Sequence, residues 1–335
     1  MSTTIYSKKL HTHYFYPERD INSSGPGVSG LILYPNGEHK WLNAQPYQAT
    51  NVLMFDGPIV TKLRELVVKQ DKVIILPFGD EECFYLQPWW SIATDNIPNN
   101  DRTWVRPEPI IDTKKYETYK EIFGNNFIIL TVCLYKGIAS YPEVRLIPWS
   151  DEIYKFGPYK NMLARDILPE IKYKDKLDKV VWRGGGFTHH INCNQPRIKI
   201  ENILKNYSWA NVKNIDSDRN NFLSIKEQSK YKIILLIDGA GSSTSEKWVF
   251  LYGSVVIRIS EWESCIIQKM TPWKDYIPVK MDLSDLVENI EWVFNNPEEA
   301  EKIALQGKET YIKYTSREEL DKVLRGISPL NPLSG

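Results

Sequence analysis

The chain has 335 residues, long enough for two domains with separate cores. Its 42 Lys and Arg balance 42 Asp and Glu, so no global field draws it to nucleic acid or to an anionic membrane. Four widely spaced cysteines, Cys83, Cys133, Cys193 and Cys265, form no CxxC pair; neither a zinc ribbon nor a disulfide framework is indicated, and reduced thiols are expected.

The opening MSTTIYSKKLHTHYFYPERD has no apolar core of signal-peptide length, and nothing later reaches roughly 18 uninterrupted apolar residues. The expectation is a cytoplasmic protein with no membrane span. Residues 1–50 are rich in Tyr, Asn, Pro and Gly and read as an irregular arm with a short strand at 31–34. An α/β pattern follows: strand 52–55, helix 58–69 and strand 72–76. The loop after that last strand carries Asp80, Glu81 and Glu82, three acids that suit either chemistry or a solvated turn. An aromatic, proline-rich stretch over 85–112, with Asp95 inside it, precedes a helix at 113–123 and a strand at 127–133.

A connection over 156–171 and a charged link, KYKDKLDK at 172–179, lead to VVWRGGG, a strand running into a glycine turn. Arg183 beside Gly184 and Gly185 could fork onto a phosphate, which a lysine cannot do bidentately. A helix is expected at 197–206, opening on Arg197. Asp216 and Asp218 form an Asp-Ser-Asp triplet after a weak, polar strand at 211–215, and Glu227 precedes Lys230.

The pivotal stretch is KYKIILLIDGAGSSTSEKWVFLYGSVV at 230–256. IILLI is a continuous apolar run, the signature of a strand covered on both faces. Gly239, Gly241, Ser242, Ser243, Thr244 and Ser245 then offer only small side chains, so a backbone can approach a ligand closely. Ser243 and Glu246 fit a capping box, which predicts a helix from about Thr244 whose N-terminus, with Lys247 one turn in, faces an anion. Beyond lie a strand at 255–259, another at 277–281, a helix to about 294, a helix opened by Pro297, and a charged helix over 309–325.

The wording of 230–256, continued by Glu261-Trp262, Pro272-Trp273, YIPVK at 276–280 and Asp282-Leu283-Ser284, resembles glycosyltransferase family 90, from about residue 180 to about 311. This family includes the Rumi-type protein O-glucosyltransferases and the capsule xylosyltransferases. The resemblance implies a GT-B-like α/β fold, two Rossmann-like domains facing a cleft: an acceptor domain at 1–165, a nucleotide-sugar domain at 166–308, and a helix at 309–335 returning to the first. It implies metal-independent, inverting transfer of glucose or xylose from a UDP-sugar to a hydroxyl of a glycan or glycoprotein, with no further cofactor.

By the same resemblance Arg183, Gly184, Gly185, Arg197 and residues 239–247 would meet the donor, and Glu227 the ribose. The base is an aspartate of the first domain, set in relatives within an Arg-Asp-Tyr-Pro context that this chain lacks. Asp80 is the nearest equivalent by position, with Glu81, Glu82 and Asp95 as rivals. A second departure is Ser245, where animal enzymes carry a phosphate-binding arginine; Lys247, Arg197 or Arg258 could compensate. Two alternatives stay open: metal-dependent transfer through Asp216 and Asp218, and a sugar- or nucleotide-binding protein without activity.

Overall fold

The continuous apolar runs become the inner strands of two sheets. The computed structural model describes residues 28–43, 72–77, 114–131, 133–135, 142–147, 171–185, 194–215, 218–238 and 242–316, with 318, 319 and 322. The chain divides into two compact units, the first taking Met1–Leu86, Ile111–Pro158 and Asp321–Gly335, the second Gln87–Ile110 and Tyr159–Leu320.

The first unit holds β1 (Val28–Leu33), β2 (His39–Asn43), β3 (Val73–Pro77), α1 (Lys114–Phe123), β4 (Phe127–Thr131), β5 (Leu134–Tyr135) and β6 (Val144–Leu146). Its five-stranded sheet has the order β2-β1-β3-β4-β6. β1 is antiparallel to both neighbours, whereas β3, β4 and β6 run parallel. The β1–β2 hairpin replaces the single short strand expected there. Its turn is Asn36-Gly37, with Gly37 at φ 85° and Asn36 Oδ1 accepting from the Glu38 N–H at 3.0 Å. β4 is buried at every position because α1 covers one face of the sheet, with Tyr119 and Phe123 against Phe127.

The second unit holds β7 (Leu177–Gly184), α2 (Asn194–Leu204), β8 (Ala210–Asn214), α3 (Ile225–Gln228), β9 (Tyr231–Ile237), α4 (Glu246–Val249), β10 (Val255–Ile259), β11 (Trp262–Glu263), β12 (Ile277–Pro278), α5 (Leu286–Asn295) and α6 (Pro297–Tyr314). The sheet order is β12-β10-β9-β7-β8, parallel throughout. Numbered within the unit this is 2-1-3-4-5, one of the two common doubly wound orders.

Three expectations are corrected here. Residues 172–179 are exposed as expected at Lys172, Lys174, Asp175 and 177–179, but they are part of the unit and not a link: Tyr173 is buried, the buried Lys176 donates to Ser229 O, and β7 has begun by Leu177. The helix expected from about 309 begins at Pro297, and its turn at 309–314 still packs within this unit, Tyr311 stacking on Phe250 at 5.4 Å. The helix after the central loop has only four residues. Among the described residues no helix is long and apolar enough to cross a membrane. Cys133 and Cys265 are buried.

Candidate functional site

In an open parallel sheet, ligands bind outside the carboxyl ends of the strands where the strand order reverses. Here β8 lies on one side of β7 and β9 on the other, so the reversal falls between β7 and β9. The two small-residue loops singled out from the sequence leave these two strands. The fold therefore sets the Gly184-Gly185 end of β7 beside the Ile237-Asp238 end of β9.

One side chain ties the ends of the two strands. Arg197, in the first turn of α2, donates to Gly185 O at 3.1 Å and to Ile237 O at 2.8 Å. Its guanidinium also lies over the Trp182 ring, 5.9 Å from the centroid. Trp182 explains the glycine that follows it: a Cβ on Gly184 would come within 2.5 Å of the indole. Only glycine lets the ring lie flat over its own strand end.

Arg183 has a different place. Strand alternation turns it to the face opposite Trp182. There its guanidinium donates to Asn221 O at 2.5 Å, to Asn211 O at 2.6 Å, to Asn211 Oδ1 at 2.7 Å and to Trp182 O at 2.8 Å. Four of its five N–H groups are thus engaged in tying β7 to β8 and to the Asn221 turn, which leaves one for the phosphate fork expected of it.

Glu227 is also corrected. It is the third helical residue of α3 in a capping box: its carboxylate accepts from Ser224 N and from Ser224 Oγ, both at 2.7 Å, while Ser224 Oγ accepts from the Glu227 N–H. These bonds hold the carboxyl below its ordinary range. α3 precedes β9, so Glu227 sits a seven-residue strand away from the loop, about 20 Å. It cannot meet the ribose of a nucleotide held at the carboxyl end.

The central loop is held differently from the expected Ser243 and Glu246 box. Ser243 Oγ accepts from the Ser245 N–H at 3.3 Å, whereas the buried Glu246 carboxylate accepts from Ser242 Oγ at 3.0 Å and from Ser264 Oγ at 2.5 Å. Burial raises the Glu246 carboxyl, and these serines oppose the rise. A four-residue helix sums few peptide dipoles, so the loop's small side chains and N–H groups matter more than a helix N-terminus. Thr244 is exposed, Ser245 half-buried and Lys247 buried.

A second buried carboxylate closes the same end. Asp238 accepts from the Glu261 N–H at 2.8 Å, linking the ends of β9 and β10. Burial pushes its carboxyl up to about 7, against the pull of Arg258, Ser260 and the Glu261 N–H. Arg258 interrupts β10, a strand buried at all five positions. It donates to Trp262 O, lies 3.6 Å from Glu263 and sits over the Tyr276 ring at 5.7 Å, so it is a structural cation and not a phosphate ligand. Sequence reasoning gave no role to Asp238 or Glu263. The lone arginine in VVIRI was the signal that acids would be buried around it.

Asp218 Oδ1 accepts from the Asn220 N–H at 2.9 Å in a turn of its own. Asp80, Glu81, Glu82, Asp95, Asp216, Gly239 and Gly241 lie outside the described residues.

Against this geometry the comparisons can be set. The model of glycosyl transferase family 90 matches residues 138–320, more than half of the chain. The chain belongs to this family. Protein O-glucosyltransferase 1 of Rattus norvegicus is 29% identical over 127 residues, covering 37% of this chain and 32% of that protein. Protein O-glucosyltransferase 3 of Homo sapiens is 36% identical over 80 residues, covering 24% and 16%. The uncharacterized protein 179R of Invertebrate iridescent virus 6 is 33% identical over 106 residues, covering 29% and 9%. The matched segments thus span a third or less of these relatives' lengths. A crystal structure of a glycosyltransferase from Rickettsia africae ESF-5 superposes with a TM-score of 0.36 at 14% identity, covering 69% of this chain and 68% of that one.

Proposed function

We propose that the chain is a glycosyltransferase that moves a sugar, glucose or xylose, from a UDP-sugar to a hydroxyl of a glycan or glycoprotein, with inversion and without a metal ion. The observation that carries this reading is that β7 and β9, the strands that lead into the two small-residue stretches, adjoin at the strand-order reversal and are tied at that end by Arg197. Family membership supports glycosyl transfer, and the printed names of relatives support glucose as a donor sugar.

The diphosphate would lie across Gly184, Gly185 and the loop at 239–245, with the Ser242, Ser243 and Thr244 N–H groups and the Ser243, Thr244 and Ser245 hydroxyls as donors. Arg197 and Lys247 add positive potential at the leaving group, which is where charge develops as the glycosidic bond breaks. Glu246 and Asp238 act through the loop: by holding Ser242, Ser264 and the Glu261 N–H they keep its shape before the donor arrives. Asp80 is proposed as the base that takes the acceptor proton, with Glu81, Glu82 and Asp95 next in line.

The test is calorimetry with UDP in the presence of EDTA, together with product formation from labelled UDP-glucose and UDP-xylose. Arg197→Gln should weaken UDP binding by roughly 1.5–3 kcal/mol, the value of a charge-assisted hydrogen bond. Asp80→Asn should lower transfer about 10²-fold to 10⁴-fold with UDP affinity unchanged. Loss of UDP binding on EDTA treatment would turn the reading to Asp216 and Asp218. UDP binding without turnover on any donor would leave a binding protein.

A further inference from the structure

The opposite end of the second sheet, where the parallel strands begin, carries an arrangement that the donor site does not use. Trp273 has φ 60°, a left-handed conformation that bulky residues rarely adopt. Its turn is fixed from behind. The Trp273 N–H donates to Tyr276 O at 2.7 Å, the Asp275 N–H to Thr271 O at 2.9 Å and the Thr271 N–H to Asp275 Oδ2 at 2.7 Å. The buried Asp275 accepts at its other oxygen from Thr310 Oγ1 on α6, at 2.5 Å. One turn earlier on the helix, a Cβ at Gly307 would lie 2.2 Å from Asp275 O, so only glycine allows this approach.

All this order presents an indole that is 46% exposed. Trp273 meets Trp292 of α5 edge to face, with centroids 5.3 Å apart and planes at 83°. Both rings line an open groove of about 580 Å³. Lys274, Lys302, Glu299 and Glu309 wall it, and Lys302 pairs with Glu299 at 2.7 Å.

We propose that this groove is a binding site for a neutral glycan, separate from the crevice at the carboxyl ends of the strands. Two cations and two anions cancel, so the groove favours no ionic ligand, and its charged rim does not suit an apolar peptide. A pyranose offers both faces the groove needs. Its C–H face stacks on an indole, as large amphipathic rings allow, and its hydroxyls reach Gln306, Glu309 and Lys274. The inference stands on this groove alone and does not depend on the transfer reaction.

Saturation-transfer NMR on the full chain tests it, with millimolar maltotriose and xylotriose as probes and UDP as the control for the crevice. The expected result is saturation of sugar protons by the wild-type protein. Trp273→Gly should weaken this tenfold or more with the cooperative thermal transition retained, because glycine takes φ 60° freely and this gain offsets the lost contact with Trp292. Trp273→Tyr should restore part of the signal, and UDP binding should be the same in all three proteins. Absence of transfer from wild type to either oligosaccharide overturns the proposal. An equal signal in wild type and Trp273→Gly overturns it too, and so does preferential binding of a sulfated oligosaccharide.

Discussion

The two ends of the second sheet solve opposite problems. At the carboxyl end, Asp238, Glu246, Arg258 and Glu263 are all buried, and their partners are loops that must hold a fixed shape. At the amino end, polar groups are spent on locking a backbone, and the side chain so presented, Trp273, faces solvent. Burying three acids around one arginine is expensive in desolvation, a cost that fits the preorganised loops the proposed donor site needs. The amino end carries less charge in its interior, so it should respond less to mutation and to pH.

The sharpest way to break this contrast is to remove Arg258, a cation buried among the acids. Arg258→Met leaves Asp238, Glu246 and Glu263 without it and should cost about 3–5 kcal/mol in urea denaturation. A loss below about 1 kcal/mol would mean that the acids are already neutral and that the carboxyl end is no more strained than the amino end.

The pH dependence follows from Asp238. Its folded value of about 7 lies above the ordinary 3.8, so between these pH values the folded state binds the extra proton. Its contribution is complete below the ordinary value and is lost as pH rises towards 7. The effect is on the order of a few kcal/mol, and the raised Glu246 carboxyl acts in the same direction. Denaturation midpoints from pH 4 to 8 should therefore fall more steeply in wild type than in Asp238→Asn. Parallel profiles would remove Asp238 from the argument.

A smaller effect is expected at Glu246. Truncation to Ala takes the acceptor from the Ser242 and Ser264 O–H groups in a buried site, at about 2–3 kcal/mol, and should also weaken UDP binding because the loop loses its tie. Glu246→Gln keeps the volume and one acceptor oxygen, so it should recover much of both. Reduced stability with unchanged UDP affinity in Glu246→Ala would confine Glu246 to the fold.

Much of this sheet could be read from sequence, because strands covered on both faces leave uninterrupted apolar runs: Tyr231–Ile237 and Val255–Ile259 fall where IILLI and VVIRI placed them. The glycine turn after Trp182 and the small-residue loop were legible for the same local reason. What escaped was set by distant partners. Arg183 turns away from the crevice because Asn211 and Asn221, 28 and 38 residues on, accept its protons. Glu246 leaves its capping box for Ser264, 18 residues away. The β1–β2 hairpin was missed although Asn36-Gly37 announced it.

Glu227 gives the smallest and cleanest test, since one residue has two incompatible readings. As a ribose ligand its carboxylate would lie in the crevice, and Glu227→Gln would weaken UDP binding while leaving the helix alone. In the structure it completes a capping box with Ser224 at the start of β9, far from that crevice. Glutamine serves at this position of a capping box as glutamate does, so Glu227→Gln should change neither UDP affinity nor the denaturation midpoint measurably. Ser224→Ala removes the cap itself and should cost about 1 kcal/mol, again with UDP affinity intact. Calorimetry and denaturation on the same preparations read both quantities. A loss of UDP affinity in Glu227→Gln with stability unchanged would return the residue to the donor site and undo the separation of the two ends.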